Sequence, residues 1–544
     1  MAMAELTPLW KDFTYFAHQR IGIEWMLDKE SVGTDVPLRS GDGMTTVYGG
    51  LQCDEMGLGK TIQMVGVMVQ HPLPVTLLLA PLAMTETWTS VCQRAGFVVY
   101  HAEQGVWVRK RVKAKANAKA GKEEDVVVQR QTEDGKECCV YVANHEKLYT
   151  ATPMFREQWF DRVVIDEAHK IRSGDGQLAL YARKLKTRIR WALTGTPLVN
   201  AFSDIVSLLA FLGVPYLRTW RWERRYEEVL PKLLIHRTLE SVRSVLADAP
   251  PEPLVHHLRL PFATEKEAEF YYGVQGLSAG MDATLEGLSG AGKFLLLLRL
   301  RQISVHPQVY IRAKRRLAKS YERPDWTEPS TKMLALREIL ECDRDRDRDR
   351  DSEVHKYIVF CQFNDEMELL RDYLYTLGFD ANHVLMYDGT LSEAQRTAVL
   401  AHSKATVKPT VLLLQIQAGG VGLNLQEYDR IIFISPWWTA ALTDQAVARA
   451  VRMGQKRVVE VYHLELEVEH ENIDMIRIDE LVDQKAQEKR VLLDHIFHLC
   501  DRAIAAEQAS QEEEEEQAVS EAEEEEAVSE AEEEEEAEPG STIA

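Results

Sequence analysis

Short uninterrupted apolar runs recur between longer stretches of helical periodicity along most of the chain. In the first part they are Val75–Ala80, Cys138–Val142, Arg162–Ile165 and Trp191–Thr194. In the later part they are Tyr357–Cys361, Thr410–Ile416, Arg430–Ile434 and Val459–His463. Runs this short, without alternation, predict strands buried on both faces, as in parallel sheets covered by helices. Two such series predict two α/β lobes. Between them, from about 200 to 325, the pattern predicts helices and no strand series. Asp204–Leu212 and Lys293–Ile303 are apolar with interspersed charge, and Pro250, Pro251 and Pro253 interrupt the stretch. It is expected to be a helical insertion joining the lobes. The strict Asp/Arg alternation of Asp343–Asp351 predicts a solvated, flexible loop. Past Glu471 a charged, helix-favouring segment runs to about Ala506. The expected organisation is therefore a first lobe over 1–220, an insertion over 221–325, a second lobe over 326–470, a brace-like helix over 471–506 and a tail over 507–544.

Charge changes this picture at one end. The chain has 64 Lys and Arg against 86 Asp and Glu, a net −22. Spread over the fold, that balance would argue against a phosphate-bearing partner. Residues 507–544, however, carry 18 Glu and no Lys or Arg, which leaves −22 + 18 = −4 for 1–506. The tail repeats Ala518–Glu526 as Ala527–Glu535 and has almost nothing apolar to bury, so it is expected to be disordered. The folded part is nearly neutral, and nucleic acid stays open as a partner.

Seven cysteines include no CxxC pair, so neither a disulfide framework nor a zinc ribbon is read from them. The start MAMAELTPLW lacks the charged and apolar regions of a signal peptide. Runs such as Phe294–Leu298 are too short to span a bilayer. The expectation is a soluble protein of a reducing intracellular compartment, with no membrane association and no zinc.

The strongest local signal is Asp54-Glu55-Met56-Gly57-Leu58-Gly59-Lys60-Thr61. Its glycines let backbone N–H groups turn toward phosphate oxygens, Lys60 is placed for the β/γ-phosphates and the Thr61 hydroxyl for Mg²⁺. A helix from Ile62 would put its positive end behind them. The strict pattern has Gly where Asp54 stands, and a two-glycine turn before a helix also serves structure alone. Val163–Ile165 then runs into Asp166-Glu167, a strand end that delivers one carboxylate to a metal and one to an attacking water. About a hundred residues after a phosphate loop, such a pair reads as the acidic half of an NTPase site. In the later lobe, Asp444–Arg452 predicts a helix with Arg449 and Arg452 on one face. Planar fixed charges there suit a phosphoryl transition state, although two guanidiniums on a face are usually solvated or ion-paired.

These stretches, in this order, resemble helicase superfamily two, and within it the Swi/Snf-type DNA-dependent ATPases of chromatin remodelling and repair. The resemblance covers about residues 12–465. It is carried by His18-Gln19, GGLQCDEMGLGKTIQ (49–63), LLLAPLAMTETW (77–88), VVIDEAHKIRS (163–173), WALTGTPLVN (191–200) and DIVSLLAFL (204–212). It continues through LLLRLRQISVHPQV (296–309), YIVFCQF (357–363), QAGGVGLNLQEYDRIIFISPWW (417–438) and DQAVARAVRMGQKRVVEVYHL (444–464). The resemblance implies two RecA-like parallel-sheet lobes closing on ATP and Mg²⁺. It implies that Gln19 reads adenine and that Gly57, Gly59, Lys60 and Thr61 hold the triphosphate. Asp166 would position Mg²⁺ and Glu167 would activate water. Thr194–Thr196 would couple hydrolysis to lobe movement, and Arg449 and Arg452 would complete the site. Ser330-Thr331-Lys332 resembles the family's entry into the second lobe.

It further implies translocation on double-stranded DNA without strand separation, by a monomeric motor, in a nucleus or a viral replication compartment. Pro436–Trp438 resembles the subgroup of the helicase-like transcription factor and post-replication repair ubiquitin ligases. Those carry a RING between the lobes, but here only Cys342 falls between Cys139 and Cys361, so ligase activity is not carried over. The reading expects a nearly minimal motor without room for bromodomain or chromodomain modules. Departures from the pattern are Cys53 for the usual alanine, Thr439-Ala440 for Asn-Pro, and Val451 for the common His.

Two charged segments stay open. Arg109–Lys122 holds seven basic residues and no acidic one, and is a solvated loop, a DNA-backbone contact or a nuclear localisation signal. The Glu-rich tail is a solubility device, a binder of histones or nucleosomes, or a competitor for the motor's basic groove. Ser520 and Ser529 each have Glu three residues on, suiting an acid-directed kinase. The alternatives to a DNA translocase are an RNA-stimulated helicase of the same superfamily and a degenerate motor acting as an acidic histone-binding scaffold.

Overall fold

A computed structural model describes residues 6–38, 43–111, 129–150, 152–215, 222–246, 249–279, 289–348, 354–419, 423–469 and 475–502. The acidic tail and most of the basic segment after Arg111 lie outside the described residues. The strands sort into two sheets. The first holds β1 (Thr34–Pro37), β2 (Met44–Gln52), β3 (Val75–Ala80), β4 (Val98–Glu103), β5 (Val106–Arg109), β6 (Cys139–Asn144), β7 (Trp159–Asp166), β8 (Lys186–Leu193) and β9 (Leu234–Ile235). Its order is β1-β2-β8-β7-β3-β6-β4-β5, with β9 on β2. The interior pairs are parallel, and β1 and β5 are antiparallel edges. The second sheet holds β10 (Leu254–Pro261), β11 (Lys356–Cys361), β12 (Val384–Tyr387), β13 (Thr410–Gln415), β14 (Arg430–Phe433) and β15 (Glu460–Glu467). Its order is β10-β15-β14-β11-β13-β12, parallel throughout.

The apolar runs are buried on both faces for the reason the pattern gives. In β7, Val163 and Ile165 enter one core while Val164 enters the other. In the second sheet Val359 and Leu413 face one core, and Ile358, Leu412 and Leu414 the opposite one. Helices cover both faces, so strand positions between them are mostly apolar, and the polar exceptions such as Arg162 and Arg430 are buried against carboxylates.

Three expectations change. The insertion carries the helices Glu265–Ala279, Gly290–Val305 and Pro307–Leu317, but its first part also supplies β9 to the first sheet and β10 to the second. The β10 strand is an edge with one half-buried face, so its residues alternate and form no apolar run. The Asp/Arg run is not a loop as far as Arg348, because the Thr331–Arg348 helix continues through it. Alternation places opposite charges three residues apart on a helix, and Asp343 is buried against Arg430, with Nε–Oδ2 at 3.0 Å and Nη2–Oδ1 at 3.2 Å. Finally, the helix carrying Gln445 spans only Ala440–Val447, so Arg449 and Arg452 lie in the turns beyond it rather than on a helical face. Arg449 N bonds the Ala446 carbonyl and Ala450 N the Val447 carbonyl, three residues back as in turns, and the Arg449 carbonyl accepts from Leu425 N at 3.1 Å.

The C-terminal helix, 478–502, crosses both lobes. Ile478 and Val482 pack with the insertion, while Ile496, Phe497 and Cys500 enter the first-lobe core. Among the described residues no helix is long and apolar enough to cross a membrane.

One buried ion pair holds the first lobe in register. Glu30, at the end of the Ala17–Ser31 helix, accepts from Arg162 on β7 through both carboxylate oxygens, from Trp191 Nε1 on β8 at 2.8 Å, and lies 2.7 Å from His71 Nδ1. Burial pushes this carboxyl upward, but Arg162 and the other donors outweigh it and hold it ionised. Arg162→Met removes the guanidinium and leaves a buried carboxylate. The expected loss is about 3–5 kcal/mol of stability, read as a lower denaturant midpoint at unchanged slope. A shift below about 1 kcal/mol would mean that the other donors suffice.

Candidate active site

Three strand ends of the first sheet converge. β2 leads into the loop 53–59, β7 ends at Asp166 and β8 runs into Thr194. This is where parallel α/β sheets collect ligands. Gly59 caps the Lys60–Gln70 helix at φ +83°, and Gly57 turns at φ +97°, backbone conformations natural to glycine. A side chain on Gly59 would also collide with Gln19, whose Nε2 lies 2.6 Å from the Cβ position. Lys60 Nζ curls into the loop and donates to the carbonyls of Asp54 at 2.7 Å and Glu55 at 3.4 Å. Thr61 follows, half-buried in the first helical turn.

The structure divides the loop residues. The Leu58 carbonyl accepts from Gln19 Nε2 at 3.4 Å and lies 3.0 Å from His18 Nε2, so the Gln19 turn sits on the loop. The Asp54 carboxylate faces away from the loop's open side and is enclosed by Gln52, Gln63 and Arg237. That contact explains a carboxylate where the strict pattern has glycine. Glu55 Oε2 accepts from Leu239 N, Leu58 is buried, and Met56 Sδ meets the second lobe. Cys53 is buried in the first-lobe core.

Asp166 and Glu167 are both buried. Trp88 Nε1 donates to Asp166 Oδ2 at 2.8 Å, and Glu167 N donates to Asp166 Oδ1 at 3.0 Å. Burial, then the neighbouring Glu167 charge, pushes the Asp166 carboxyl up to about 6. Burial also acts upward on Glu167, but His169, Lys60 and Arg449 outweigh it and hold that carboxylate ionised. Glu167 has φ +50°, ψ +50°, a left-handed conformation that a non-glycine residue adopts at a cost of about 1–3 kcal/mol. His169 Nδ1 lies 3.3 Å from Glu167 Oε2, and among the described residues that buried oxygen has no closer hydrogen-bond partner. An acid pair with one raised carboxyl and one unbonded buried oxygen fits a divalent cation and its water. Among the described residues no cluster of three or more His, Cys, Asp or Glu could hold a metal alone.

The second lobe closes the site. Gln445 Nε2 donates to Thr196 Oγ1 at 3.0 Å, and Thr439 Oγ1 to the Val199 carbonyl at 3.4 Å, both between lobes. Arg449 Nη2 reaches Met56 Sδ at 3.8 Å. Burial lowers the Arg449 guanidinium to about 10 against the pull of Glu167, which leaves it charged at neutral pH. Arg452 is more open and donates to the Leu423 carbonyl at 3.3 Å. Val451, where the family commonly has His, packs in the second-lobe core. Lys332 binds Asp479 and Ser435, tying the entry to the second lobe to the C-terminal helix.

Trp88, His145, His169, Arg237 and Gln445 also belong to this arrangement, without a role assigned from the sequence. His145 Nε2 lies 2.8 Å from the Asp166 carbonyl. Trp88, His169 and Gln445 stand inside recognisable motifs, whereas nothing in the sequence around Arg237 marks it.

Comparison with known proteins follows the same outline. The SNF2-related domain model matches residues 18–309, more than half of the chain, and the helicase conserved C-terminal domain matches 331–454. The probable global transactivator of Orgyia pseudotsugata multicapsid polyhedrosis virus is 26% identical over 83% of this chain and 86% of its own. The chromatin remodeling factor mit1 of Schizosaccharomyces pombe is 24% identical over 82% of this chain and 31% of its own. Apart from the viral protein, this chain spans a quarter to just under half of the length of such relatives. The SWI2/SNF2 ATPase core of Sulfolobus solfataricus, solved in complex with dsDNA, aligns over 91% of this chain and 98% of its own at 21% identity, with a TM-score of 0.36.

Proposed function

The chain belongs to the SNF2-related family of helicase-like, ATP-hydrolysing enzymes, and from that premise we propose that it is a double-stranded-DNA translocase that displaces or remodels bound protein. The observation that carries this reading is the buried Arg449, delivered by the second lobe to the loop and acid pair of the first. A site assembled from two lobes ties phosphate chemistry to lobe movement, which is what a motor needs.

In this mechanism the backbone N–H groups at Gly57 and Gly59 cradle the triphosphate, Lys60 leaves its loop carbonyls for the β/γ-phosphates, and Gln19 reads adenine. Thr61 and Asp166 would hold Mg²⁺, which supplies neutralisation of phosphate charge. Glu167, ionised and with an unbonded oxygen, orients the attacking water and accepts its proton as the terminal phosphoryl group leaves ADP. Arg449 and Arg452 stabilise the charge on the transferring group. The Thr196–Gln445 contact passes the change to the second lobe. Histone or nucleosome binding by the acidic tail, action in a nucleus or viral compartment, and work as a monomer are parts of the same proposal.

Turnover measured without nucleic acid and with double-stranded DNA, single-stranded DNA and RNA tests it. Double-stranded DNA is expected to stimulate most, and Lys60→Ala to abolish the stimulated rate. Stronger stimulation by RNA would replace this reading with an RNA helicase, and no turnover by the wild type would leave a scaffold.

A further inference from the structure

After β9 the chain runs alongside the phosphate loop. Cys53 N donates to the Ile235 carbonyl and Glu55 N to the Arg237 carbonyl, each at 2.8 Å. From this strap the Arg237 side chain enters the first lobe between the loop and the turn that starts the Ala17–Ser31 helix. Its Nε donates to Asp54 Oδ1 at 3.0 Å, and its Nη2 to Asp54 Oδ2 at 2.5 Å and Gln63 Oε1 at 2.8 Å. Its Nη1 donates to the carbonyl of His18, the residue before Gln19. One planar group is thus bonded to the start of the loop, to the helix behind it and to the backbone next to Gln19. The fit is close enough to constrain the facing helix, where a Cβ on Gly22 would stand 2.5 Å from Arg237 Nη2 and 2.1 Å from Gln63 Oε1. The strap continues into an apolar clamp in which Val242 and Leu246 enclose Leu58 of the loop beside Met453 of the second lobe.

We propose that Arg237 is a positioning residue for nucleotide selectivity, fixing the His18–Gln19 turn at a set separation from the phosphate loop so that base and triphosphate are read together. This rests on the reading of the cleft as an ATP site. The geometry supplies the reason for its chemistry. A guanidinium forks onto both Asp54 oxygens and still has a donor for the His18 carbonyl, whereas an ammonium offers a point charge without that fixed spread. Asp54 is the other half of the device: its carboxylate holds the guanidinium in the plane that reaches the turn.

The test compares KM and kcat for ATP and GTP in the full chain, for wild type, Arg237→Lys, Gln19→Ala and the double variant. Losing charge-assisted hydrogen bonds at one end of the bridge is expected to raise KM for ATP roughly tenfold or more. GTP, whose base Gln19 is not built to read, is expected to change by less than about twofold, and the change with ATP falls on KM rather than kcat. The double variant is expected to be no worse than the worse single one, because both substitutions break one device. If Arg237→Lys does not fold, Asp54→Asn removes the charge and one of the two acceptors that hold the guanidinium, at constant size, and is expected to show the same selective loss. Equal losses for ATP and GTP, or additive effects with Gln19→Ala, would overturn the proposal by making Arg237 a general support of the loop. A wild type that turns over neither nucleotide would instead refute the ATP-site reading.

Discussion

Glu167→Gln is expected to lower ATP turnover by about 10²–10⁴-fold, the usual contribution of a positioned general base, while the protein still binds ATP. The amide has the size of the carboxylate and takes the same left-handed backbone conformation at similar cost, so the local fold is retained. What disappears is a proton acceptor with a buried, unbonded oxygen. Removing the Glu167 charge also removes one of the two effects that push the Asp166 carboxyl up. Asp166 then ionises at lower pH, and nucleotide with its cation is expected to bind as well as in the wild type or better. Single-turnover hydrolysis and a fluorescence titration with labelled nucleotide separate the two effects. Turnover within tenfold of wild type would take the proton-accepting role away from Glu167.

Arg449→Ala is expected to cost roughly 10³–10⁵ in turnover, the range for an arginine supplied to a phosphoryl transition state. The residue is buried between lobes, stays charged and lies in the field of Glu167. Its turn is held by the Leu425 N–Arg449 O bond, which involves only backbone and survives the substitution. Binding of ATP to the first lobe is expected to persist. Arg449→Lys is expected to recover little, because an ammonium lacks the planar fork. Arg452→Ala is expected to be milder, since Arg452 is more exposed and donates to a carbonyl of its own lobe. Pre-steady-state kinetics across the three variants give the ranking. Equal and small losses at both positions would mean that the lobes meet in another arrangement during hydrolysis.

The two sheets and the phosphate loop were legible in the sequence because each has a one-dimensional signature. Val163–Ile165 faces two cores, so burial on both sides writes itself as an apolar run. Gly57 and Gly59 are needed by their backbone angles. The features that escaped depend on contacts from distant parts of the chain. Nothing between Asp444 and Arg452 breaks a helix by residue type, yet the helix stops at Val447 and the chain continues in tighter turns whose Arg449 carbonyl is taken by Leu425 N, from outside the segment. Asp343 looks like part of a solvated charge run until Arg430 is seen against it. The β10 strand hides behind three prolines because an edge strand needs only alternation. Arg237 bonds Asp54, Gln63 and His18 from a separate part of the chain, and no local pattern records such a convergence.

Displacement of a third strand from a DNA triplex is the most direct measurement of whether hydrolysis in this cleft moves the protein along a duplex. Wild type with ATP is expected to strip the third strand and leave the underlying duplex paired. Glu167→Gln, and wild type with a non-hydrolysable ATP analogue, are expected to leave the triplex intact. DNA-stimulated ATP hydrolysis by the wild type with no displacement at any protein concentration would contradict the account.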